Sequence, residues 1–494
     1  MTLHEPLRAH AEKTPEKPAF FCGDAKISYK ALDDSTASLA QWFLDQGLRH
    51  GDRVAVHWSN SIEAIQLFYG IFKAGLIAVT INTRLKSEEI GYILHHSQAR
   101  MCFSEPAFAP QAEKAGAACS VFTELPRFER AEAPELAIVR PDQPAVILYT
   151  SGTTARPKGV THTHRSLTEA WLILARATSK AAWEPGGTTL CILPIMHMGA
   201  LWVVVCSVCQ GGSLVLLPRF DPVAVLDSIE RFQCTGAVCM PALWQFIVAE
   251  QESSPRRDSS LRAAGAGGDA VPVALQERFR TFFGIALQEG YALTESVPVS
   301  VNPAYAIRPG SIGVPNDGVE LRVVDIDGKD VRDGEPGELL VRSAANCIGY
   351  WNDPEATRAA LGDGWLHTGD LAARDADGYY WFRGRKKEII IRAGSNISPQ
   401  EVEEALYRHP AVREVGVVGQ SDPTYGEVVA AFIVFRQGTT ANEAELRQFA
   451  QQHLADYKVP EKFVFLEDLP KGPTGKVFRR ALKEMLSTSV ATAS

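Results

Sequence analysis

The sequence lacks an excess of positive charge, because its 50 lysines and arginines face 58 aspartates and glutamates, for a formal net charge of −8. This balance argues against general affinity for nucleic acid, although it leaves room for an anionic ligand in a local basic site. Hydrophobic residues make up 46% of the chain and charged residues 22%, which is ordinary for a soluble globular enzyme. We therefore expect no nucleic-acid partner.

Cysteine is scarce and scattered, with nine residues in a chain of 494. An odd number without dense spacing does not suit a disulfide framework and predicts reduced thiols in a cytoplasmic protein. Cys206 and Cys209 have the spacing of a redox pair, but the stretch 201–208 is almost entirely apolar. We favour the interpretation that both are buried core thiols.

Long uninterrupted apolar segments are also missing. Residues 1–17 carry mixed charge and no apolar core of a signal peptide, so we expect no export signal there. Residues 199–218 are apolar enough to imitate a membrane span, but the run Gln210-Gly211-Gly212 interrupts them. A buried helix followed by a buried strand is the favoured interpretation, and we expect no integral membrane segment.

The most informative segment runs from Tyr149 to Gly159 and reads Tyr-Thr-Ser-Gly-Thr-Thr-Ala-Arg-Pro-Lys-Gly. It follows a short apolar run of strand length, and Pro157 prevents a continuous helix, so we predict a loop. Its hydroxyls, glycines and cations offer O–H donors, N–H donors and positive charge to a triphosphate. The Walker A spacing cannot be laid on this segment. A polar surface loop is the alternative, but eleven such residues after a buried strand favour phosphate binding.

Two later segments also have the composition of a nucleotide site. Residues 263–270 place three glycines in four positions, which permits close approach of a flat purine, with a flexible turn as the alternative. Segment 290–296 holds a tyrosine whose ring can stack on adenine. It also holds Thr294, whose hydroxyl can bind an α-phosphate, and Glu295, whose carboxylate can bind Mg²⁺.

Together with the segments 364–371, 384–391 and 469–477, these motifs resemble the signatures of the adenylate-forming superfamily, in the family's order and at similar distances. That superfamily contains acyl-CoA synthetases, peptide-synthetase adenylation domains and beetle luciferases. Two positions depart from its pattern, because Ala155 and Ala292 stand where the family usually has glycine. At a position with positive φ, alanine costs about 1 kcal/mol, which slows a loop rather than abolishing its function. We hypothesise that the Ala292 methyl narrows the acyl tunnel.

The resemblance implies roles for individual residues. Lys476 is expected to bridge the carboxylate of the acid and ATP during adenylation, and Asp370 is expected to bind both ribose hydroxyls. An isolated histidine such as His197 is more often a core residue, but the resemblance implies a place beside the acyl pocket. The catalytic candidates are Lys476, Thr294, Glu295 and His197, and the metal ligands implied for Mg²⁺ are Thr150 and Glu295.

A larger set is expected to bind the nucleotide or coenzyme A. Its members are Thr150, Ser151, Gly152, Thr153, Thr154, Lys158, Gly267, Gly268, Asp269, Tyr291, Asp370, Arg385 and Gly394.

Strand-like and helical segments alternate before and after the phosphate loop, which predicts a mainly parallel sheet with helices on its faces. Residues 308–386 change to short strands separated by Asp-Gly and Pro-Gly turns, which predicts an antiparallel, barrel-like subdomain. The resemblance implies an α/β fold with a large N-terminal domain of parallel-sheet subdomains, residues 1–386. A small mobile α+β lid, residues 387–494, is expected to follow and to turn about a hinge at Lys387.

The sequence thus predicts an ATP-dependent ligase that joins a carboxylic acid to coenzyme A through an acyl-adenylate, with AMP and pyrophosphate as products. Three alternatives remain: a ligase that charges the pantetheine of a carrier protein, a luciferase-like oxygenase, and a non-catalytic ligand sensor. The expected pocket is apolar and has no second cation, which favours a medium-chain fatty acid over an aryl acid. Its expected residues are His197, Leu201, Trp202, Cys206, Met240 and Ala292.

Overall fold

Helices and strands alternate through most of the chain, as the sequence predicts. The computed structural model describes residues 1–116, 119–126, 138–150, 156–177, 186–256, 259–269, 271–393, 395–472 and 476–491. The helices are α1 (Glu5–Lys13), α2 (Tyr29–Asp45), α3 (Ile62–Lys73), α4 (Ser87–Ser97), α5 (Ala109–Lys114), α6 (His164–Arg176), α7 (Met198–Cys209), α8 (Pro222–Phe232), α9 (Pro241–Ser253), α10 (Val273–Phe283), α11 (Pro354–Leu361), α12 (Pro399–Tyr407), α13 (Glu443–His453), α14 (Arg479–Ala491) and the 3₁₀ turn Asp456–Lys458.

The strands are short. They are β1 (Pro18–Cys22), β2 (Ala25–Ser28), β3 (Arg53–His57), β4 (Ile77–Thr80), β5 (Met101–Ser104), β6 (Ser120–Phe122), β7 (Pro144–Thr150), β8 (Lys158–Thr163), β9 (Thr188–Cys191), β10 (Ser213–Leu216), β11 (Gly236–Cys239), β12 (Ala263–Ala266), β13 (Leu287–Leu293), β14 (Ser296–Val301), β15 (Val314–Pro315), β16 (Val319–Val324), β17 (Gly337–Ser343), β18 (Gly349–Tyr350), β19 (Leu366–Arg374), β20 (Tyr380–Arg385), β21 (Ile390–Arg392), β22 (Ser395–Ile397), β23 (Val412–Asp422), β24 (Gly426–Phe435) and β25 (Lys462–Phe465).

A seven-stranded sheet carries the predicted phosphate loop. Its order is β18-β8-β7-β4-β3-β5-β6, and β7, β4, β3, β5 and β6 run parallel. The apolar run in β7 is buried, as expected for a strand covered on both faces. Strand β8 returns antiparallel to β7 and pairs Thr150 with Lys158, so the loop begins and ends at neighbouring positions.

A nine-stranded sheet, in the order β15-β14-β13-β12-β11-β9-β10-β1-β2, carries the other motifs. Strands β9, β11, β12 and β13 are parallel neighbours. Carboxyl ends of parallel strands meet at one edge of a sheet, which is where ligands bind in open α/β folds. That edge leads into His197 after β9, Met240 after β11, Gly267 after β12 and Thr294 after β13.

The apolar stretch near residue 200 forms α7 followed by β10, and nearly all of their residues are buried. The prediction of a buried helix and strand is confirmed. Cys206 and Cys209 are buried free thiols, and burial raises the pKa of both. Over the described ranges, no helix has the length and apolar character needed to cross a bilayer.

One strand ends earlier than its apolar residues indicate. Residues 190–194 are typical of the end of a strand, and β9 begins at Thr188 and ends at Cys191. The two threonines are included because Thr188 and Thr189 pair with Ser213 and Leu214 of β10. Pairing with β10, and not hydrophobicity, therefore determines where β9 begins.

Short strands fill the region 308–386, as predicted, and β16, β17, β19 and β20 form a four-stranded sheet in which β19 and β20 are antiparallel. The C-terminal part builds a five-stranded sheet, β22-β21-β24-β23 with β25 beside β24. Contacts divide the chain into two compact units. The first is Met1–Val271, Leu275–Leu321 and Val341–His367; the second is Pro272–Ala274, Arg322–Leu340 and Thr368–Ser494. The domain boundary at Lys387 stays a prediction.

Candidate active site

Glu295 is held in place by contacts that join both sheets of the first unit. The Tyr350 hydroxyl donates a hydrogen bond to Glu295 Oε1 (2.9 Å), and the Cys347 N–H donates to the Glu295 carbonyl (2.7 Å). Burial and the neighbouring carboxylate raise the pKa of Tyr350, so its hydroxyl keeps its proton at neutral pH. Lys158, at the end of the phosphate loop, lies with its Nζ 5.0 Å from the centre of the Tyr350 ring. Tyr350 therefore links the phosphate loop to Glu295.

Thr294 is supported by a residue that the sequence analysis did not single out. His162 in β8 is fully buried, and its Nε2 lies 2.8 Å from the Thr294 carbonyl while its Nδ1 lies 3.0 Å from Ser166 Oγ. Burial lowers the pKa of His162 to about 4, so the ring is neutral at pH 7. A carbonyl oxygen can only accept a hydrogen bond, so Nε2 carries the proton and its N–H donates a hydrogen bond to the Thr294 carbonyl. The available signal was a histidine three residues after Gly159, the last residue of the phosphate loop, but its partner is 132 residues away in sequence.

His197 precedes the first residue of α7 and is half-buried. Its Nε2 lies 2.8 Å from Asn82 Nδ2. Asn82 Oδ1 accepts from the Arg84 N–H (2.9 Å), which leaves the amide as the group facing the imidazole. The amide therefore donates to Nε2, and the His197 proton resides on Nδ1. From the sequence, the Asn82 turn has only a structural role, and this contact with a candidate catalytic residue was missed.

The donor set suits Mg²⁺. Thr150 ends β7 and Glu295 follows β13, and together they offer a hydroxyl and a carboxylate oxygen. Among the residues that the structure describes, no group of three or more His, Cys, Asp or Glu side chains could hold a metal by itself. Mg²⁺ is commonly bound by one or two carboxylates together with substrate phosphates, which these residues fit. Ser151, Gly152, Thr153 and Thr154 lie outside the described residues.

The glycines after β12 are required by the backbone. Gly268 has φ +85°, in the left-handed region, and it is exposed together with Asp269. A Cβ on Gly267 would lie 3.0 Å from the carbonyl oxygen of Gly290. Tyr291, on the neighbouring strand, is buried. This segment is therefore shaped for close backbone packing at the edge where β12 and β13 end.

Two predicted ribose ligands meet in the second unit. Asp370 and Arg385 pair across β19 and β20, with Arg385 Nε 3.3 Å from Asp370 Oδ1. The Asp370 side chain is 5% exposed and that of Arg385 is 47% exposed, so a buried carboxylate is paired with a solvent-accessible guanidinium.

Lys387 is exposed on the following turn, and Gly394 lies outside the described residues. Lys476 is half-buried, and its carbonyl accepts from the Gly472 N–H (2.8 Å).

Two of the expected pocket residues, Trp202 and Cys206, line one cavity of about 20 Å³ with Leu174, Thr189, Val203, Gln210 and Val238. Trp202 Nε1 is buried, and no described residue accepts its hydrogen bond. Leu201 is also buried, whereas Ala292 is exposed at an irregularity of β13. The cavity is lined mainly by apolar residues, and one of its lining residues, Trp202, has a buried indole N–H without a described acceptor.

Comparison with known proteins agrees with these motifs. The family described as "AMP-binding enzyme" matches residues 7–351, and "AMP-binding enzyme C-terminal domain" matches residues 401–476. The chain is 34% identical to a sulfoacetate–CoA ligase of Cupriavidus necator, over 97% of each chain. It is 33% identical to a long-chain-fatty-acid–CoA ligase of Bacillus subtilis, over 98% of this chain and 94% of the relative. A crystal structure of an anthranilate CoA ligase with anthranoyl-AMP superposes with a TM-score of 0.91 at 28% identity, covering 99% of this chain and 98% of the other.

Proposed function

The chain belongs to the AMP-binding enzyme family, and from that premise we propose that it converts a medium-chain fatty acid, or a related apolar acid, to its coenzyme A thioester. It is an AMP-forming acid–thiol ligase that uses ATP, Mg²⁺ and coenzyme A, and its relatives include ligases that form acyl-CoA and aryl-CoA. The choice of acid, the roles of single residues and the moving lid are parts of the proposal.

The first half-reaction makes the carboxylate reactive. A carboxylate is a poor acyl donor because its leaving group would be oxide. Attack of its oxygen on the α-phosphorus of ATP expels pyrophosphate and gives an acyl-adenylate, whose leaving group is AMP. Two anions must meet in this step, so Lys476 and Lys158 neutralise and orient them, and Mg²⁺ held by Thr150 and Glu295 would supply further positive charge there. Such orientation is worth several kcal/mol, up to about 7–11 kcal/mol.

The second half-reaction transfers the acyl group. The coenzyme A thiol attacks the acyl carbon, loses its proton and expels AMP. In our proposal the lid, residues 387–494, rotates about Lys387 between the two steps, withdrawing Lys476 and presenting the pantetheine tunnel. One site then serves both reactions.

The observation that carries the proposal is the connected set Lys158, Tyr350 and Glu295, with Thr294 fixed by His162. These contacts support a loop cation, a carboxylate and a threonine next to one another, which is what adenylation at an α-phosphate requires. A non-catalytic ligand sensor would not need Glu295 and Thr294 to be held in place by these hydrogen bonds.

One observation favours a second candidate acid. The cavity beside Trp202 has room for about one water-sized group, and the buried indole N–H points to a hydrogen-bond acceptor as its partner. An aryl or oxygenated acid that carries a hydrogen-bond acceptor away from its carboxylate fits this donor better than a plain hydrocarbon chain does.

The experiment measures pyrophosphate release with ATP and Mg²⁺ across fatty and aryl acids, with and without coenzyme A. Acid-dependent release with acyl-CoA formed in step is the expected result. Release without a thioester would instead indicate a carrier protein as acceptor, and no release with any acid would contradict the proposal.

The substitution Trp202→Phe separates the two classes of acid. It removes the N–H and keeps most of the ring, so kcat/KM should fall about two- to tenfold for acids with a distal acceptor. The matched hydrocarbon acids should be unaffected. Equal effects on both would remove the reason for the second candidate.

A further inference from the structure

Arg479 contacts two carboxylates on different segments of the second unit. Its Nη2 donates to both oxygens of Glu403 at 2.7 and 2.8 Å, and its Nη1 lies 3.4 Å from Glu388 Oε2. The three side chains are between 11% and 29% exposed, so the contacts are shielded from water much better than a surface ion pair. Arg479 is thus the centre of a three-segment clamp, which we define as Glu388, Glu403 and Arg479.

Each end of the clamp is fixed to a distinct element. Glu403 lies on α12, and its Oε1 also accepts from the Val417 N–H of β23 (2.8 Å), so this carboxylate is anchored to the sheet. Glu388 directly follows Lys387, the proposed hinge, and its N–H donates to the Arg385 carbonyl (2.9 Å). The contact of Arg479 with Glu403 therefore connects it to the sheet, and its contact with Glu388 connects it to the residue next to the proposed hinge.

Arg479 is also the third residue after Lys476, and of the two residues between them Val477 is packed while Phe478 is 46% exposed. Val477 bridges to Lys471 and packs against a core cluster that includes Leu469 and Leu482. A Cβ on Gly416 of β23 would lie 2.7 Å from Leu482 and 3.2 Å from Val477. The lack of a side chain at Gly416 therefore allows Val477 and Leu482 to pack closely against β23. Because the link is only two residues long and Val477 is anchored in this cluster, the position of Arg479 limits where the backbone of Lys476 can lie.

We propose that Arg479 is a positioning residue that transmits rotation about Lys387 to Lys476. A hinge moves a distant side chain only if the two are rigidly connected, and the clamp supplies that connection through Glu388. The inference deepens the proposed function and rests on it, because it takes Lys476 as the lysine of adenylation and Lys387 as the hinge. Arg479 itself need not touch either substrate.

A purely structural role makes a different prediction from a positioning role. If the clamp only stabilised the second unit, its loss would slow both half-reactions alike. If it positions Lys476, its loss slows adenylation and spares acyl transfer from a preformed acyl-adenylate, because Lys476 has been withdrawn by then. The ratio of the two half-reaction rates is therefore the informative measurement.

The experiment uses the full chain with Arg479→Gln. Adenylation is followed as pyrophosphate release from ATP and acid, and transfer as acyl-CoA formation from a synthetic acyl-adenylate and coenzyme A. A misplacement of about 1 Å costs up to about 100-fold in rate, so we expect adenylation to fall about 10- to 100-fold and transfer to change less than about twofold. Arg479→Lys, which keeps the charge but loses the fork, should fall between the wild type and Arg479→Gln.

Arg480→Gln is the matched control. Arg480 is adjacent in sequence but 72% exposed, and it pairs along the helix with Glu484 (2.9 Å). The Arg480→Gln substitution should leave both rates unchanged.

Glu388→Gln removes only the contact next to the hinge and leaves the buried Glu403 paired with Arg479, so it tests the coupling even if Arg479→Gln folds poorly. It should lower adenylation selectively by a smaller factor.

The outcomes are distinguishable. Equal loss of both half-reactions in Glu388→Gln and Arg479→Lys, or loss in neither, would overturn the positioning role while leaving the ligase function intact. If Lys476→Ala adenylated the acid as fast as the wild type, Lys476 would not be the lysine of adenylation, and the positioning role of Arg479 would be wrong as well. No acid-dependent pyrophosphate release from the wild type would overturn the proposed function and this inference with it.

Discussion

Replacing Tyr350 by phenylalanine should weaken the response to Mg²⁺ without disturbing the phosphate loop. The Tyr350 hydroxyl donates to Glu295 Oε1 at 2.9 Å, and Glu295 is the proposed metal ligand. A hydrogen bond to a charged group contributes about 1.5–3 kcal/mol. If that energy holds the carboxylate toward the metal, its loss raises the free Mg²⁺ concentration for half-maximal activity about 10- to 100-fold. The phenylalanine ring still faces Lys158, so the contact between that cation and the ring is retained.

The assay is acid-dependent pyrophosphate release, titrated with free Mg²⁺ at fixed ATP and a fixed apolar acid. Tyr92→Phe is the matched control, because the Tyr92 hydroxyl donates to the Pro157 carbonyl (3.0 Å), next to Lys158 at the same end of the loop, and does not contact Glu295. That variant should change the Mg²⁺ titration less than about threefold. Glu295→Gln provides the reference for a lost ligand. If Tyr350→Phe titrates like the wild type while Glu295→Gln is impaired, the hydrogen bond does not orient the carboxylate and our reasoning is wrong.

Three further predictions concern other contacts. Asn82→Ala removes the donor that faces His197 Nε2 at 2.8 Å, so kcat/KM for the acid should fall about tenfold with the KM for ATP unchanged; a matching change for ATP would contradict a place beside the acid. Burial lowers the pKa of His57 from 6.5 to about 4, so its contribution to stability is complete above pH 6.5 and is lost as the pH falls toward 4. Between pH 7 and 5 the loss is about 2 kcal/mol, and urea unfolding of His57→Gln should show a correspondingly smaller decline. Ala292→Gly should shift the chain-length profile toward longer acids, and an unchanged profile would refute the narrowing by the Ala292 methyl.

The local elements were largely predictable, because each depends on patterns within a short stretch of sequence. The run Arg-Val-Ala-Val-His at 53–57 is typical of a strand, and β3 has those bounds. Ser398 followed by Pro399 is typical of the start of a helix, and α12 begins at Pro399. The segment 149–159 was predicted as a loop after a buried strand, but its first two residues belong to β7 and its last two to β8, because those ends pair with each other. Alternating strands and helices then predicted the parallel sheets, since crossover connections impose that order.

The amino-acid sequence by itself determined the fold class, the order of the motifs and which residue types could serve a nucleotide and an acid. Only the tertiary structure decided how those residues are supported. His162 meets Thr294 across 132 residues, Asn82 meets His197 across 115, and Arg479 meets Glu403 across 76. Periodicity and propensity report on neighbours in sequence, whereas these pairs depend on strand order, register and the direction of each side chain. Those are fixed when the sheets and helices pack, because a buried donor or acceptor is stable only where a partner from elsewhere in the chain meets it.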